Sequence, residues 1–174
     1  MRRLYLFDDS VARGWMPLAL TRPAGEILFG ALLLRQRIER ATGLRAEGYL
    51  GSAALEGFQE EGAPPVIGAQ AVAVDLPTAV LSTRYVPPID SPLPIRSWGE
   101  SPRERVRLVA GGVPIGWLLP PGSAVPMGDN ATGPGEDLEI PGEVLTSPWE
   151  LVARSPEQLL LDLPALFAGG GEGG

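Results

Sequence analysis

Apolar positions come first as a block and then as a period. Residues 4–7 read Leu-Tyr-Leu-Phe and stop at Asp8-Asp9-Ser10, a short continuous apolar run that predicts a strand buried on both faces. After a loop through Pro17 and Pro23, Ile27, Ala31, Leu34 and Ile38 recur at helical spacing, while Arg35, Arg37, Glu39 and Arg40 point elsewhere. That pattern predicts one helix from Pro23, at its first position, to a stop at Gly43. Strand, loop and helix in this order predict the start of a mainly parallel α/β sheet flanked by helices, with its site at the carboxyl end of the first strand.

Further along, residues 47–50 and 66–67 are candidate short strands, and residues 72–74 and 79–85 are stronger ones, the last ended by Pro87 and Pro88. Residues 105–110 and 113–119 flank Gly111-Gly112, the residue pair of a two-residue turn, and predict a β-hairpin near residues 105–119. Residues 120–142 carry Gly, Pro and Asp without periodicity and read as loop. Ser147-Pro148-Trp149-Glu150 and Ser155-Pro156-Glu157-Gln158 both have the form of a capping box, so two helices are expected over residues 148–153 and 156–167. The second should present Leu159, Leu163 and Leu166 on one face. Residues 1–168 therefore form one domain, and the Gly-rich residues 169–174 a tail or linker.

Composition narrows the chemistry. The chain has 174 residues, 44% of them apolar, and a net charge of −7. All 14 basic residues are Arg, scattered singly, which argues against nucleic acid as a partner. No apolar run approaches the ~20 residues needed to cross a bilayer, and no export signal precedes Asp8, so a cytoplasmic protein without a membrane partner is expected. Cys, His and Lys are all missing. That excludes disulfides, thiolate or imidazole zinc sites, a Ser-His-Asp triad, Schiff bases and a P-loop lysine. Carboxylates, Arg, hydroxyls and backbone amides remain, a set suited to phosphates and a hard cation such as Mg²⁺.

The string FDDSVARGWMPLALTRPAGEILFG, from Phe7 to Gly30, and SPWELV with LLLDL near the other end resemble bacterial sugar nucleotidyltransferases. These are similar to the uridylyltransferase half of UDP-N-acetylglucosamine pyrophosphorylase. The resemblance spans most of the chain, the middle loosely. It implies a nucleotidyltransferase-like α/β fold and transfer of a nucleotidyl group from a nucleoside triphosphate to a sugar 1-phosphate, with Mg²⁺ as cofactor. It also implies a C-terminal left-handed β-helix domain in the full-length protein, through which the protein would oligomerise.

Within that resemblance Arg13 and Arg22 are the candidate catalytic phosphate partners. Asp8, Asp9, Gly14 and Thr21, with Arg22, are the candidates for phosphate and nucleotide binding. The loop they share should lead into the N-terminus of the helix at Pro23, where backbone amides and the helix dipole favour an anion. Arg22 pairing with Asp8 or Asp9 is the competing reading. Glu26 fits either the helix N-terminus or a sugar hydroxyl, and Trp15, Trp98, Trp117 and Trp149 fit stacking or packing, with packing expected for Trp117 and Trp149.

Three features of active relatives are absent. Asp8 to Gly14 is not a Gly-rich loop, Ala24 stands where a lysine follows the proline, and Ser82-Thr83-Arg84 stands where a Gly-Asp holds the metal. The metal ligands are left open, with Asp8, Asp9, Asp75 and Asp90 as substitutes. Three functions stay in play: a nucleotidyltransferase, a catalytically degenerate nucleotide- or sugar-phosphate-binding domain, and a structural domain attached to the β-helix.

Overall fold

A computed structural model describes residues 2–51, 53–90, 93, 104–126 and 135–167. In chain order β1 is Arg3–Phe7, α1 Ser10–Arg13, β2 Leu28–Phe29, β3 Leu32–Leu33, α2 Leu34–Thr42, β4 Ala46–Leu50 and β5 Val66–Ile67. Then come β6 Thr78–Ser82, β7 Tyr85–Val86, β8 Val106–Ala110, β9 Val113–Leu119, β10 Glu136–Glu139, β11 Glu143–Val144, α3 Pro148–Ala153 and α4 Ser155–Phe167. Among the described residues no helix is long and apolar enough to cross a membrane.

The main sheet runs β10-β8-β9-β6-β1-β4-β5, parallel except where β9 runs against both its neighbours. The chain thus has the mainly parallel α/β architecture that its sequence predicts. Strand β1 sits between β4 and β6, which explains its continuous apolar run. Successive side chains point to opposite faces, and both faces are covered. Leu4 and Leu6 pack with Ile38 of α2, Tyr49, Leu81, Leu108 and Leu118 on one face. Tyr5 packs with Val80, Trp117, Leu119, Val74 and Val125 on the other. The β8–β9 hairpin forms around Gly111 and Gly112, both at positive φ, as two-residue turns of this kind require.

The predicted helix over residues 23–42 is half right. Only α2 is helical, closed as expected by Gly43 in the left-handed conformation. Pro23 instead precedes a single 3₁₀ turn, and Ile27 and Ala31 lie outside the helix. The reason is Gly30. At φ 64° it opens a two-residue turn between β2 and β3, a geometry the helical pattern concealed.

Three other expectations are corrected. Residues 72–74 form no strand, although Val74 is buried against the sheet. The segment 79–85 breaks at Thr83-Arg84, after which β7 leaves the sheet to pair with β11. Residues 120–142, read as loop, contain β10, an acidic edge strand whose mostly exposed sequence lacks apolar alternation. Residues 127–134, Trp98 and the tail at 169–174 lie outside the described residues.

Helix α3 carries the capping box at Ser147, where the Glu150 carboxylate accepts from the Ser147 N–H at 3.0 Å. Helix α4 departs from its sequence reading. Its buried positions are Gln158 and Asp162, while Leu159 and Leu163 are exposed. Trp117 packs as expected, whereas Trp149 stands in solvent.

The polar stripe of α4 has a partner. Arg37 of α2, buried, donates through Nη1 to Asp162 Oδ1 at 2.8 Å and through Nη2 to Asp162 Oδ2. Ala31 N–H donates to the same Oδ2 at 2.8 Å, Gln158 Nε2 to Oδ1 at 2.8 Å, and Gly30 N–H to Ser155 Oγ at 3.0 Å. The β2–β3 turn, α2 and α4 are thereby latched together through polar groups.

Candidate functional site

In a sheet of this kind the crevice for ligands lies beyond the carboxyl ends of the parallel strands. Here Asp8 and Asp9 leave β1, and Ser82, Thr83 and Arg84 leave β6, and the Phe7–Ser82 register sets the two ends side by side. The sheet therefore does bring the acidic pair to the expected place.

What it brings them to is Arg84 and Thr83. Arg84 Nε donates to Asp9 Oδ1 at 2.8 Å, and Nη2 donates to Asp9 Oδ2 at 2.6 Å. The third nitrogen, Nη1, donates to the Leu145 carbonyl at 2.5 Å, so every guanidinium nitrogen is occupied. Asp9 also caps α1, accepting from the Ala12 N–H at 2.9 Å. Both side chains are buried. A buried charge is tolerable only when paired and hydrogen-bonded, and this pair meets that condition at each atom.

Asp8 is buried too, and its oxygens accept from Thr83 Oγ1 at 2.6 Å and from the Ala24 N–H at 3.0 Å. Burial pushes its carboxyl above the ordinary value, and the neighbouring Asp9 charge adds to that. The hydrogen bonds from Thr83 and Ala24 and the charge of Arg13 oppose the rise without cancelling it. The chain's own groups thus engage both carboxylate oxygens of each aspartate.

The other sequence candidates are spread along the loop. Arg13 is exposed and donates from Nη1 to the Asp8 carbonyl at 2.7 Å. Gly14 ends α1 with an ordinary φ of −78°, so nothing in its backbone requires glycine. Thr21 is exposed at the end of a 3₁₀ turn. Arg22 is half-exposed and pairs at 3.6 Å with Glu60, not with Asp8 or Asp9. The loop does not enter a long helix at Pro23, because α2 begins only at Leu34. The expected helix N-terminus beside Arg22 is absent, so Arg13 and Arg22 are the loop's positive groups without a dipole behind them.

Two side chains weighed for ligand contact are structural. Glu26 is buried, accepting from Arg35 Nε at 2.6 Å and from the Tyr49 hydroxyl at 2.6 Å. No α-helix N-terminus lies there for it to face, because α2 begins only at Leu34. Burial and the adjacent Glu26 charge push the Tyr49 hydroxyl far above its usual range, so it stays a donor. Trp15 is packed against Ala12, Ala24 and Phe29. Asp75, a substitute metal ligand, is exposed and pairs with Arg3 at 3.0 Å, and Asp90 is exposed. The role of Arg84 escaped the sequence reading, although one signal was present. An arginine directly after a fully buried strand needs a carboxylate, and Asp9 stands at the end of the other apolar strand.

A cavity of about 430 Å³, lined by Gln36, Glu39, Arg40, Gly43, Leu44 and Arg45, opens at the C-terminal end of α2. It adjoins the start of β4, the opposite end of the strands from Asp8 and Asp9.

A model of the sugar nucleotidyl transferase family matches residues 4–170, which take in β1, the loop, β6 and both closing helices. The chain belongs to this family. Nucleotidyl transfer is the family's general reaction. Among curated proteins no relative matches it. In this sugar nucleotidyl transferase domain the strand-end carboxylates are turned inward. Mg²⁺ does not fit them as they stand, because a cation at Asp9 would have to displace Arg84. Removing one partner of a buried pair costs about 3–5 kcal/mol. Among the described residues no three acidic side chains cluster to hold a metal elsewhere.

Proposed function

We propose that this domain binds a phosphate-bearing ligand, a nucleoside triphosphate or a sugar 1-phosphate, at the loop between Asp8 and Arg22, and turns it over slowly or not at all. The observation that carries this reading is the closed Asp9–Arg84 pair, which commits a strand-end carboxylate that could otherwise have substituted for the missing Gly-Asp as a metal ligand. Arg13 and Arg22 stand on the solvent side of the same loop, and guanidinium groups suit phosphate oxygens. Losing one preorganised donor to a transition state costs about 2.7–4 kcal/mol in well-studied oxyanion sites, which removes turnover before it removes binding.

Full nucleotidyl transfer to a sugar 1-phosphate is the second reading, favoured by family membership. The narrower likeness to UDP-N-acetylglucosamine pyrophosphorylase would make uridine the base. Calorimetric titration of uridine, thymidine and guanosine triphosphates, with and without Mg²⁺, tests the first reading. Metal-independent binding without pyrophosphate release is the expected result. Rapid pyrophosphate release in the presence of Mg²⁺ and a sugar 1-phosphate would establish the second reading instead.

A further inference from the structure

Helix α4 is amphipathic in the wrong direction for a surface helix. Its inward stripe is Gln158 and Asp162, held by Arg37 and the Ala31 N–H, and its outward side is apolar. Leu160, Pro164 and Phe167 follow one another at helical spacing on that outward side, with Leu161 and Leu163 flanking them. Leu160 is 74% exposed and Phe167 71%. Helix α3, which packs beside α4, bares Trp149 and Val152 to a similar degree.

Burying a Leu or Phe side chain is worth ~1.5–3 kcal/mol, so a helix that faces its polar stripe inward forgoes that gain unless something covers the other side. Trp149, Val152, Leu160, Leu161 and Phe167 thus leave five large apolar side chains more than 60% exposed on two packed helices, where a monomer's surface normally scatters such side chains singly.

We propose that the α3–α4 face is the contact between two copies of this chain, packed about a two-fold axis with α4 of one against α4 of the other. Charge favours a second copy as the occupant. The chain carries −7, so most of its surface repels another copy, whereas among the exposed positions of α4 only Glu157 is charged. A two-fold axis sets each patch against itself, and a nearly uncharged patch brings no like charges together. Glu150 of α3 is occupied by its own cap and by Arg154.

The test is the mass of the 174-residue chain in solution, by sedimentation equilibrium. A mass of two 18.4 kDa copies is expected for the wild type. Leu160→Glu and Phe167→Glu together should give a single copy with an unchanged circular dichroism spectrum, since both side chains stand in solvent. Val113→Glu, an exposed apolar position on the β8–β9 hairpin, should leave the double mass intact. A wild type that stays single at ~100 μM would give the face to another chain or a further domain and overturn the proposal. A double mass that survives both α4 substitutions would overturn it equally.

Discussion

Arg84 meets the Asp9 carboxylate in a bidentate grip, and its Nη1 donates to the carbonyl of Leu145, whose N–H donates to the Arg84 carbonyl at 3.0 Å. One side chain thus joins the end of β6, the end of β1 and the segment leading to α3. Arg84→Ala would strand a buried carboxylate, and about 3–5 kcal/mol of stability should be lost. Urea unfolding checks it. The double variant Asp9→Asn with Arg84→Met should recover part of that loss, because it leaves no unpaired charge. If the double variant were the less stable of the two, the loss could not be assigned to an orphaned charge.

Gly30 is the second site of predicted sensitivity. Its φ of 64° is strained for any residue with a Cβ, and a Cβ there would overlap the Asp162 carboxylate and lie 2.8 Å from Arg37 Nη2. Gly30→Ala should cost at least ~1–2 kcal/mol from the backbone alone. Hydrogen exchange should quicken in α4 and the β2–β3 turn while β1 keeps its protection. Unchanged exchange in α4 would refute the latch.

Acid should separate two aspartates. Burial alone would raise Asp162, but the Arg37 guanidinium, the Ala31 N–H and the Gln158 amide outweigh it and hold the carboxyl below its ordinary 3.8. A depressed folded pKa contributes stability that is complete above 3.8 and lost as pH falls through the folded value. Asp8 has the opposite sign. Its raised pKa gives a contribution complete below 3.8 and lost as pH climbs through the folded value. Asp162→Asn should therefore flatten the acid side of the stability curve, and Asp8→Asn should lessen the decline on the other side. Curves for both variants that run parallel to wild type would contradict the assignment.

Ligand binding should depend on Arg22. A hydrogen bond from a charged donor contributes about 1.5–3 kcal/mol, so Arg22→Ala should weaken a nucleoside triphosphate by roughly tenfold to a hundredfold. Its exposed ion pair with Glu60 contributes little to stability, so the unfolding midpoint should barely move. Equal affinity in both proteins would remove Arg22 from the site.

Where signals were local, the sequence was legible. The apolar block of β1, the Gly111-Gly112 turn, the Gly43 stop and the Ser147 capping box each announce themselves within a few residues, and each is present. The residues around Gly30 misled because a helical period and a tight turn share the same apolar spacing over so short a stretch, and only contacts to Ser155 and Asp162 decide between them. The α4 leucines mislead because an apolar stripe ordinarily faces inward, whereas here Arg37 recruits the polar one. At the candidate site the acidic pair was readable as a pair, but its partner Arg84 lies 75 residues away and only the sheet register brings it near.

The central place of β1 has a bearing on how the chain comes off the ribosome. Strand β1 is flanked by β4, finished at Leu50, and by β6, finished only at Ser82, while β10 at the sheet's edge must wait for Glu139. Pairings between segments so far apart in sequence form slowly, and unpaired apolar edges associate with one another meanwhile. A nascent chain halted before Ser82 would hold Leu4, Tyr5 and Leu6 beside an open edge, the stretch where chaperone shielding during synthesis matters most.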